Sequence, residues 1–381
     1  MGSTSPLSRR YALLLTPAFL LLAGGSAFGQ LNLGPEELVQ AGGVDILVPG
    51  YSVPSFTRWD GDGLADLIVG EGSGVDTPKV RVYLNVGTPS DPQFSDFFYA
   101  QSEGADLTEE GDGCMGLFPR TVYWDGDDAK DLLVGVSDGT IKIYLNVGTD
   151  DDPTFDAGTF LQVGEPDLKV DIDVGKRPTP SMVDWNNDGR KDLVTGALDG
   201  LIRIFINEGT DTEPDFITET ILQTGREDLV VPEYRSSPVI MDLDDDGKKD
   251  LLTGNTAGQI LFYSNIGTDA SPAFADYECV ESDGVAIDLD GLPRSRPFVA
   301  DWTGDGRLDL LVGAGTGNVH LYQGVPLYAD VNDDGVVDID DLFAVLAQWG
   351  DCDDPEDCPA DINGDGTVDI DDIFEVLANW T

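Results

Sequence analysis

The chain is poor in histidine and in basic side chains. His320 is the one histidine among 381 residues, which excludes His-based zinc sites and Ser-His or Cys-His catalytic pairs, while paired-carboxylate chemistry stays open. The 21 lysines and arginines stand against 72 acidic residues, giving a net charge of −51. Such a surface repels the phosphates of nucleic acids and anionic membranes, so neither is an expected partner.

Long apolar runs are also scarce, and the one that occurs lies near the N-terminus. Residues 1–29 have the order of a secretory signal, with basic Arg9 and Arg10, the apolar segment 12–22, and a small-residue cleavage site before Gln30. The apolar segment is shorter than the ~20 residues of a membrane span. We therefore predict a secreted, extracellular protein, or one held at the cell surface through a partner, with no membrane insertion. A membrane anchor and a twin-arginine export route are the alternatives.

Cysteine is scarce too. The chain has no Cys-x-x-Cys motif, so its cysteines do not indicate a zinc site. Cys352 and Cys358 bracket the segment DDPED, and in an exported chain we predict that they form a disulfide. Cys114 and Cys279 fall in non-neighbouring parts of the chain. We expect both of these to be buried thiols.

What the chain has in abundance is one oxygen-rich loop, repeated at a period of about 60 residues. Five copies read RWDGDGLAD, YWDGDDAKD, DWNNDGRKD, DLDDDGKKD and DWTGDGRLD. Between them lie short runs of Val, Ile, Leu and Phe bounded by Gly, Asn and Asp, which are typical of strands. Four short strands in each unit predict the blade of a β-propeller.

The ends of the repeat region indicate how a ring would close. The fifth unit stops after NVHLYQG without a fourth strand, whereas Leu38–Val48 resembles the fourth-strand segments of the other units. We therefore predict a mainly β fold, a five-bladed β-propeller over residues 36–326 that is closed by its N-terminal strand. A small all-α domain follows over residues 327–381.

The repeated loops offer oxygen ligands at alternate positions before a turn-forming glycine, which is the pattern of a calcium loop. Closely spaced carboxylates repel one another, and a bound Ca²⁺ removes that repulsion. Arg58 and Tyr123 replace the opening ligand of the first two loops, where Arg58 is an alternative neutralising charge for Asp60 and Asp62. A metal-free Asp-Gly turn is the other alternative. The ligands predicted in the third to fifth loops are Asp184, Asn186, Asp188, Asp192, Asp242, Asp244, Asp246, Asp250, Asp301, Thr303, Asp305 and Asp309.

Two further loops of this kind lie near the C-terminus, and each is followed by the pattern of an amphipathic helix. Side chains supply positions 1, 3, 5, 9 and 12, and a backbone carbonyl supplies position 7. The predicted ligands are Asp330, Asn332, Asp334, Val336, Asp338, Asp341, Asp361, Asn363, Asp365, Thr367, Asp369 and Asp372. The apolar helix faces that we expect to pack against each other are Leu342, Leu346 and Trp349, and Ile373, Leu377 and Trp380.

The five propeller repeats resemble the FG-GAP/VCBS family, which includes the integrin α-chain propellers. The resemblance rests on D-x-[DNT]-x-D-G-x-x-D followed by DL(L/V)xG. It implies an extracellular binding domain, since some members are lectins and others accompany polysaccharide-degrading modules. It also implies metal roles for the third to fifth loops.

The C-terminal pair resembles a type I dockerin, a calcium-dependent domain that binds cohesins, because position 12 is aspartate rather than glutamate. The resemblance implies an all-α, calcium-binding domain with a cohesin-like partner. Positions 10 and 11, which help to select the cohesin, are Ile339-Asp340 and Ile370-Asp371 where the family has a Ser/Thr pair. A calcium-stabilised C-terminal cap without a partner is the alternative.

These features predict a secreted, calcium-binding, non-catalytic binding or scaffold protein, whose propeller binds a glycan or an extracellular protein. No acid-base pair stands out from the repeat, so no enzyme activity is predicted. The alternative is a carbohydrate-binding or polysaccharide-degrading component of an extracellular assembly. Trp59, Trp124, Trp185, Leu243 and Trp302 share one position of the repeat, as sugar-stacking aromatics or, in our preferred interpretation, as packing between blades.

Overall fold

The computed structural model describes residues 31–72, 77–110, 116–244, 246–289, 294–332, 335–352 and 358–380. The predicted signal, Cys114 and Asp334 lie outside these described residues. Five antiparallel sheets form a ring in which the innermost strand of each sheet contacts the innermost strands of both neighbours. The fold is therefore mainly β, and the predicted five-bladed propeller is confirmed.

Each blade consists of four strands, which follow one another from the axis outward. The first blade contains Ser52–Thr57, Asp66–Glu71, Val80–Tyr83 and Phe98–Tyr99. The second contains Phe118–Val122, Asp131–Gly135, Ile141–Tyr144 and Thr159–Phe160. The third contains Thr179–Val183, Asp192–Gly196, Ile202–Asn207 and Phe216–Ile221, and the fourth contains Ser237–Met241, Asp250–Gly254, Ile260–Tyr263 and Glu278–Cys279. The fifth contains Arg296–Ala300, Asp309–Gly313, Val319–Gly324 and Leu33–Leu38.

The fourth strand of the fifth blade comes from the N-terminal part of the chain. Leu33–Leu38 pairs antiparallel with Val319–Gly324, so the ring is closed by hydrogen bonds between distant parts of the sequence. The closing strand begins earlier than the predicted segment Leu38–Val48. That segment instead forms a hairpin of Gln40–Ala41 and Val44–Asp45, because it must turn from the fifth blade towards the first.

Similar hairpins, in which each strand is two residues long, follow the outermost strands of the other blades. They pair Gln101–Ser102 with Ala105–Asp106, Gln162–Val163 with Val170–Asp171, Gln223–Thr224 with Glu227–Asp228, and Glu281–Ser282 with Val285–Ala286. Several of them reach the next blade, as Ala41 bridges to Phe94 and Val163 pairs with Phe216. These hairpins therefore fasten neighbouring blades together at the rim.

The second strand of every blade is buried along its whole length, which explains its continuous apolar sequence. The glycine near its end is required by the close approach of the next blade. A Cβ atom on Gly135 would lie 2.0 Å from the carbonyl oxygen of Pro178, and one on Gly313 would lie 2.3 Å from that of Ser52. The glycine of the repeat therefore permits backbone contact between blades.

The repeated tryptophan packs against the phenylalanine of the following blade. The ring centroids of Trp59 and Phe155 are 5.9 Å apart, and those of Trp302 and Phe94 are 5.7 Å apart. Trp185 is within 6.3 Å of Phe274 in the same way. Because these tryptophans are at most 9% exposed, the structure supports packing between blades rather than sugar stacking.

The tail contains two helices, α1 (Ile339–Ala347) and α2 (Ile370–Ala378), and a short sheet of Gly350–Asp351 with Thr367–Val368. Asp338 and Asp369 cap the two helices, each through a capping box. The described helices are nine residues long, and none is long and apolar enough to cross a bilayer. The tail has its own small apolar core, separate from the propeller clusters.

The predicted packing face of the two helices is wrong in part. Leu342 and Ile373 pack against the tail core, but its fully buried helix residues are Val345 and Val376, three positions further along. The remaining members of the predicted face are 42–51% exposed, namely Leu346, Trp349, Leu377 and Trp380. Each helix begins at a capping box, so its first turn is joined to the loop that precedes it.

Candidate metal centres

The five propeller loops lie at one end of the ring, because each connects the innermost strand of a blade to its second strand. We call this the aspartate end, formed by residues 58–66, 123–131, 184–192, 242–250 and 301–309. The innermost strands begin at the opposite end of the ring. The topology therefore collects all five acidic loops on a single face.

The last aspartate of each loop is fully buried and joins the loop to the sheet. In the third blade, the two carboxyl oxygens of Asp192 accept hydrogen bonds from the N–H groups of Trp185 at 2.9 Å and Asn207 at 2.7 Å. The same pair of bonds is made by the equivalent residues Asp66, Asp131, Asp250 and Asp309. A carboxylate oxygen has two lone pairs, so these aspartates keep capacity for a cation.

Burial raises the pKa of all five of these carboxyl groups above the ordinary range, and their backbone hydrogen bonds offset only part of that rise. The effect is largest at Asp250, whose pKa is raised to about 6. Repulsion from Asp244 and Asp246 adds to the rise. The ionised form of this loop is therefore disfavoured unless positive charge is supplied.

The fourth loop brings three of its predicted ligands together. Carboxyl oxygens of Asp242, Asp244 and Asp250 lie within 4.8 Å of one another, the one such acidic trio among the described residues. One oxygen of Asp242 accepts the N–H of Gly247 at 2.9 Å, whereas the other is buried with no hydrogen-bond partner. A buried, unpartnered carboxylate oxygen beside two further carboxylates fits the donor set of a hard divalent cation.

The third and fifth loops fold their first aspartate onto their own backbone. Asp184 accepts the N–H groups of Asp188 and Gly189 at 3.1 and 2.9 Å, and Asp301 makes the equivalent bonds in the fifth loop. Asn186 accepts from the backbone of Asp188 as well, at 3.0 Å. The predicted residues of these loops are thus gathered around one turn, with Thr303 at the corresponding place in the fifth loop.

The aspartate at the fifth position of the third to fifth loops pairs with a basic residue two positions later. The ion pairs are Asp188 with Arg190 at 2.5 Å, Asp246 with Lys248, and Asp305 with Arg307 at 2.8 Å. These pairs are not among the sequence predictions, although the basic residue after the glycine is visible in GRK, GKK and GRL. A cation in these loops would compete with, or share, these carboxylates.

The first two loops each contain one basic residue, Arg58 in the first and Lys130 in the second. Within the described residues no ion pair joins Arg58 to Asp60 or Asp62, and its role as their neutralising charge stays an alternative. A lysine of the second loop reaches the backbone of the first loop. Lys130 is 2% exposed, and its ammonium donates to the carbonyl of Trp59 at 3.1 Å while pairing with Asp150.

The tail loops are closed by their last aspartate in a different way. Asp372 accepts the N–H groups of Ile362 at 2.8 Å, Asn363 at 3.2 Å and Asp369 at 2.7 Å, all within its own loop. Asp341 makes the same three bonds to Val331, Asn332 and Asp338. The first-position aspartates accept the N–H of the loop glycine, Asp330 from Gly335 and Asp361 from Gly366, at 2.9 and 2.8 Å. Asp365 accepts from Thr367, and Val336 lies at the equivalent seventh position.

Cys352 and Cys358 are joined by a disulfide, with their Cα atoms 6.1 Å apart, and both pack against the tail core. Cys279 is a half-buried free thiol on the outermost strand of the fourth blade, and burial raises its pKa. The disulfide therefore links the segment between the two tail loops to the same core that holds the helices.

Comparison with known proteins supports the repeat. Residues 184–253, which span the third and fourth loops, match the family described as FG-GAP-like repeat. No curated protein matches the chain. The repeat is therefore shown for this stretch, and the architecture of the ring shows a propeller of five blades.

Several solved structures are similar to part of this chain at low sequence identity. A lectin of Agrocybe aegerita, described by its specific recognition of non-reducing terminal N-acetylglucosamine, is 18% identical over 74% of this chain and 66% of its own, with a TM-score of 0.35. The Photorhabdus luminescens Tc holotoxin pore is 15% identical over 71% of this chain, which spans 11% of the toxin chain, with a TM-score of 0.36. The Dos1 propeller is 11% identical over 71% of this chain and 53% of its own, with a TM-score of 0.30. At such scores these likenesses carry no argument about function.

Proposed function

We propose that this protein is a secreted, non-catalytic binding protein in which Ca²⁺ stabilises the acidic loops. The propeller acts as the binding platform for an extracellular protein or a glycan, and the tail acts as a docking module. The cluster of Asp242, Asp244 and Asp250, with its buried and unpartnered oxygen, carries the calcium part of this proposal.

Electrostatics favour a cation in the fourth loop. Two carboxylates about 5 Å apart repel by about 3 kcal/mol at an effective dielectric of 20. Asp242, Asp244 and Asp250 lie at this separation, and Lys248 pairs with Asp246 rather than with any member of the trio. Calcium suits the site better than magnesium, because the loop supplies many oxygens on a flexible turn.

The buried aspartates support binding rather than catalysis. A raised carboxyl pKa often marks a catalytic acid. Here each carboxyl group with a raised pKa at the end of a loop has both oxygens bonded to backbone N–H groups, as at Asp192. These groups hold the loop on the sheet, so the propeller is proposed to bind its ligand without chemical change.

Calcium binding can be tested by titrating the calcium-depleted full-length protein in a calorimeter. We expect Asp242→Asn to weaken one site by tenfold or more, because it removes charge from the acidic trio. Asp60→Asn in the first loop is the matched control and should leave that site unchanged. Wild-type binding by the Asp242→Asn variant would show that the assignment of the fourth loop is wrong.

The tail is proposed to dock through apolar surface on both helices. Three positions of each helix and a tryptophan just after it are exposed, 31 residues apart, and they comprise Ile339, Phe343, Leu346 and Trp349 with Ile370, Phe374, Leu377 and Trp380. Phe343 and Phe374 are 59% and 57% exposed. Large exposed apolar patches mark interaction sites, and the dockerin-like pattern of the loops makes a cohesin-like protein the proposed partner.

Docking can be tested by measuring binding of the full-length protein to a panel of immobilised cohesin domains in calcium. The double variant Phe343→Ala and Phe374→Ala should lose at least tenfold in affinity for any cohesin that binds the wild type. Gln348→Ala, at the exposed residue that follows the last residue of α1, is the control. If no cohesin binds, the tail is a calcium-stabilised cap without this class of partner.

A further inference from the structure

The end of the propeller opposite the aspartate end carries a group of arginines that the calcium sites do not use. Three blades place an arginine at the same repeat position, three residues before the proline of the innermost strand. These residues are Arg177, Arg235 and Arg294, and Arg296 of the fifth blade adds a fourth. Four of the 21 basic residues of a strongly acidic chain thus lie around one end of the axis, far in the topology from the acidic loops.

Two of these arginines flank the same aromatic rings. The guanidinium carbon of Arg296 is 4.0 Å from the ring centroid of Tyr51, and that of Arg177 is 5.5 Å from it. Phe118 lies within 5.9 Å of the first and 5.2 Å of the second. Stacking on rings fixes the plane of a guanidinium while leaving its N–H edge available for planar recognition.

Arg296 has one complete edge of its guanidinium without hydrogen bonds. Its Nη1 donates to the carbonyl of Arg294 at 2.8 Å and lies 3.5 Å from that of Ser52. Its Nε and Nη2 atoms are buried and have no hydrogen-bond partner among the described residues, although the residue is 1% exposed. These two nitrogens form the fork that donates two parallel bonds to a carboxylate, sulfate or phosphate group.

The surroundings of Arg296 are positive. Burial lowers the pKa of Arg296 well below its ordinary value, and the charges of Arg177, Arg235 and Arg294 lower it further. Within the described residues no carboxylate forms an ion pair with Arg296. A buried charge without a partner is strongly disfavoured, so a negatively charged group bonded to Nε and Nη2 would offset both the lost hydration of Arg296 and the repulsion from the other arginines.

The backbone is strained at each of the three repeated arginines. Their φ angles are +57° at Arg177, +65° at Arg235 and +87° at Arg294, in the left-handed region that favours glycine. The second blade has Gly116 at this position, and its φ lies outside the left-handed region. An arginine held three times in a conformation that glycine adopts more easily indicates that the guanidinium group itself is needed, because strain of this kind collects at binding sites.

We propose that this arginine end, formed by Arg177, Arg235, Arg294 and Arg296 with Tyr51, is a binding site for a small oxyanion. Two oxygens of the anion accept the N–H groups of Nε and Nη2 of Arg296. The recognised group is a carboxylate or an inorganic oxyanion such as sulfate, since both present two oxygens to a guanidinium fork. The site goes beyond the calcium-stabilised platform, because it uses positive charge at the other end of the ring.

The test is a thermal-melting titration of the full-length protein in saturating calcium. Sodium acetate and sodium sulfate are added separately, with ionic strength held constant by sodium chloride so that general screening does not change. We expect the melting temperature to rise and then level off with at least one of the two anions. A plateau with acetate alone identifies a carboxylate site, and a plateau with sulfate identifies an inorganic oxyanion site.

Variants decide whether Arg296 carries the effect. Arg296→Lys keeps a positive charge but loses the fork, and we expect its apparent affinity for the anion to fall at least tenfold. Arg296→Gln should abolish the saturable rise. Arg203→Gln is the control, because Arg203 pairs with Asp199 and Glu219 at an outer strand of the third blade, and it should retain the full rise. A rise that does not level off, or an equal rise in Arg296→Lys and the wild type, would overturn the proposal.

Discussion

The acidic loops of the propeller and those of the tail share one ligand pattern but are held in place by different parts of the molecule. In the propeller, the last aspartate bonds to the loop and also to the end of the third strand, as Asp192 does with Trp185 and Asn207. In the described part of the tail, Asp372 bonds to its own loop and to the cap of its own helix. The propeller loop is therefore organised by a sheet, whereas the tail loop depends on itself and on a small core. The same motif should need its cation for different reasons in the two regions.

Removing calcium should produce the largest difference between them. We expect chelator to unfold the tail, because a segment of this size buries too little apolar surface to offset the repulsion of its acids. Hydrogen exchange of the full-length protein should lose protection in Ile339–Ala347 and Ile370–Ala378, while the second strands of the blades stay protected. The double variant Asp330→Ala and Asp361→Ala, measured in calcium, should show the same exchange pattern as the wild type in chelator. Equal protection of both helices with and without chelator would contradict this dependence.

Removing a last aspartate should harm the propeller even without calcium. Asp192→Ala leaves the N–H groups of Trp185 and Asn207 buried without an acceptor. We expect a loss of about 2–6 kcal/mol in the free energy of unfolding of the propeller, at about 1–3 kcal/mol for each of the two orphaned groups. Denaturant titrations in chelator measure this loss directly.

Asp188→Ala is the matched control for that experiment, because Asp188 lies on the same loop and forms a half-exposed pair with Arg190. It should cost less than about 1 kcal/mol. Equal losses for the two variants would mean that the last aspartate is not what joins the loop to the sheet.

The smallest expected effect is on pH dependence. The pKa of Asp250 is raised to about 6 in the folded protein, above that of the unfolded chain, so the folded state binds this proton more tightly. Its contribution to stability is complete below about pH 4 and is lost as the pH rises through 6. In chelator we expect the propeller to lose about 1–2 kcal/mol between pH 4.5 and 7, after discounting for solvent screening.

Calcium should shrink that loss, because it favours the ionised carboxylate. The measurement is the denaturation midpoint of the propeller at several pH values, with and without calcium, in the wild type and in Asp250→Asn. The variant lacks this titration and should show a flatter profile in chelator. A steeper profile in calcium than in chelator would reverse the expected sign.

The large features of the fold could be predicted from the sequence because they repeat. The number of blades, the strands and the interblade role of Trp59 follow from a pattern that occurs five times, and each copy supports the others. The predicted closing strand is Leu38–Val48, whereas the strand that closes the ring is Leu33–Leu38. A single strand without a repeat to align against fixes its register through contacts with a distant partner, which local sequence does not encode.

Within the loops, position could be predicted but orientation could not. The sequence places Asp246 as a ligand, yet its carboxylate pairs with Lys248, while Asp242, Asp244 and Asp250 converge. Which way a carboxylate turns depends on the nearest N–H groups and charges, and those are set after the strands pair. The helix faces of the tail show the same limit, because Val345 rather than Leu346 faces the core.

The arginine end could not be predicted because its signal is spread thinly. Only three of the five repeats have an arginine at this position, in KRPTP, YRSSP and LPRSRP, and in any single repeat it resembles an isolated surface charge. The ring brings Arg177, Arg235 and Arg294 to one place only because the innermost strands of consecutive blades lie side by side. Aligning the repeats on the proline of the innermost strand, as well as on the acidic loops, would have shown that these arginines share one position.

The closing strand also sets the order in which the protein can be completed. Leu33–Leu38 is synthesised almost 300 residues before its antiparallel partner Val319–Gly324, and its other neighbour, Ser282, also lies late in the chain. Until these segments are made, the strand that completes the fifth blade is unpaired, and an unpaired strand edge invites association with other chains. The entropic cost of closing a loop rises only slowly with its length, so the long separation costs little equilibrium stability. Its main effect is to slow folding. A chain of this design gains from staying unfolded until its last blade is available.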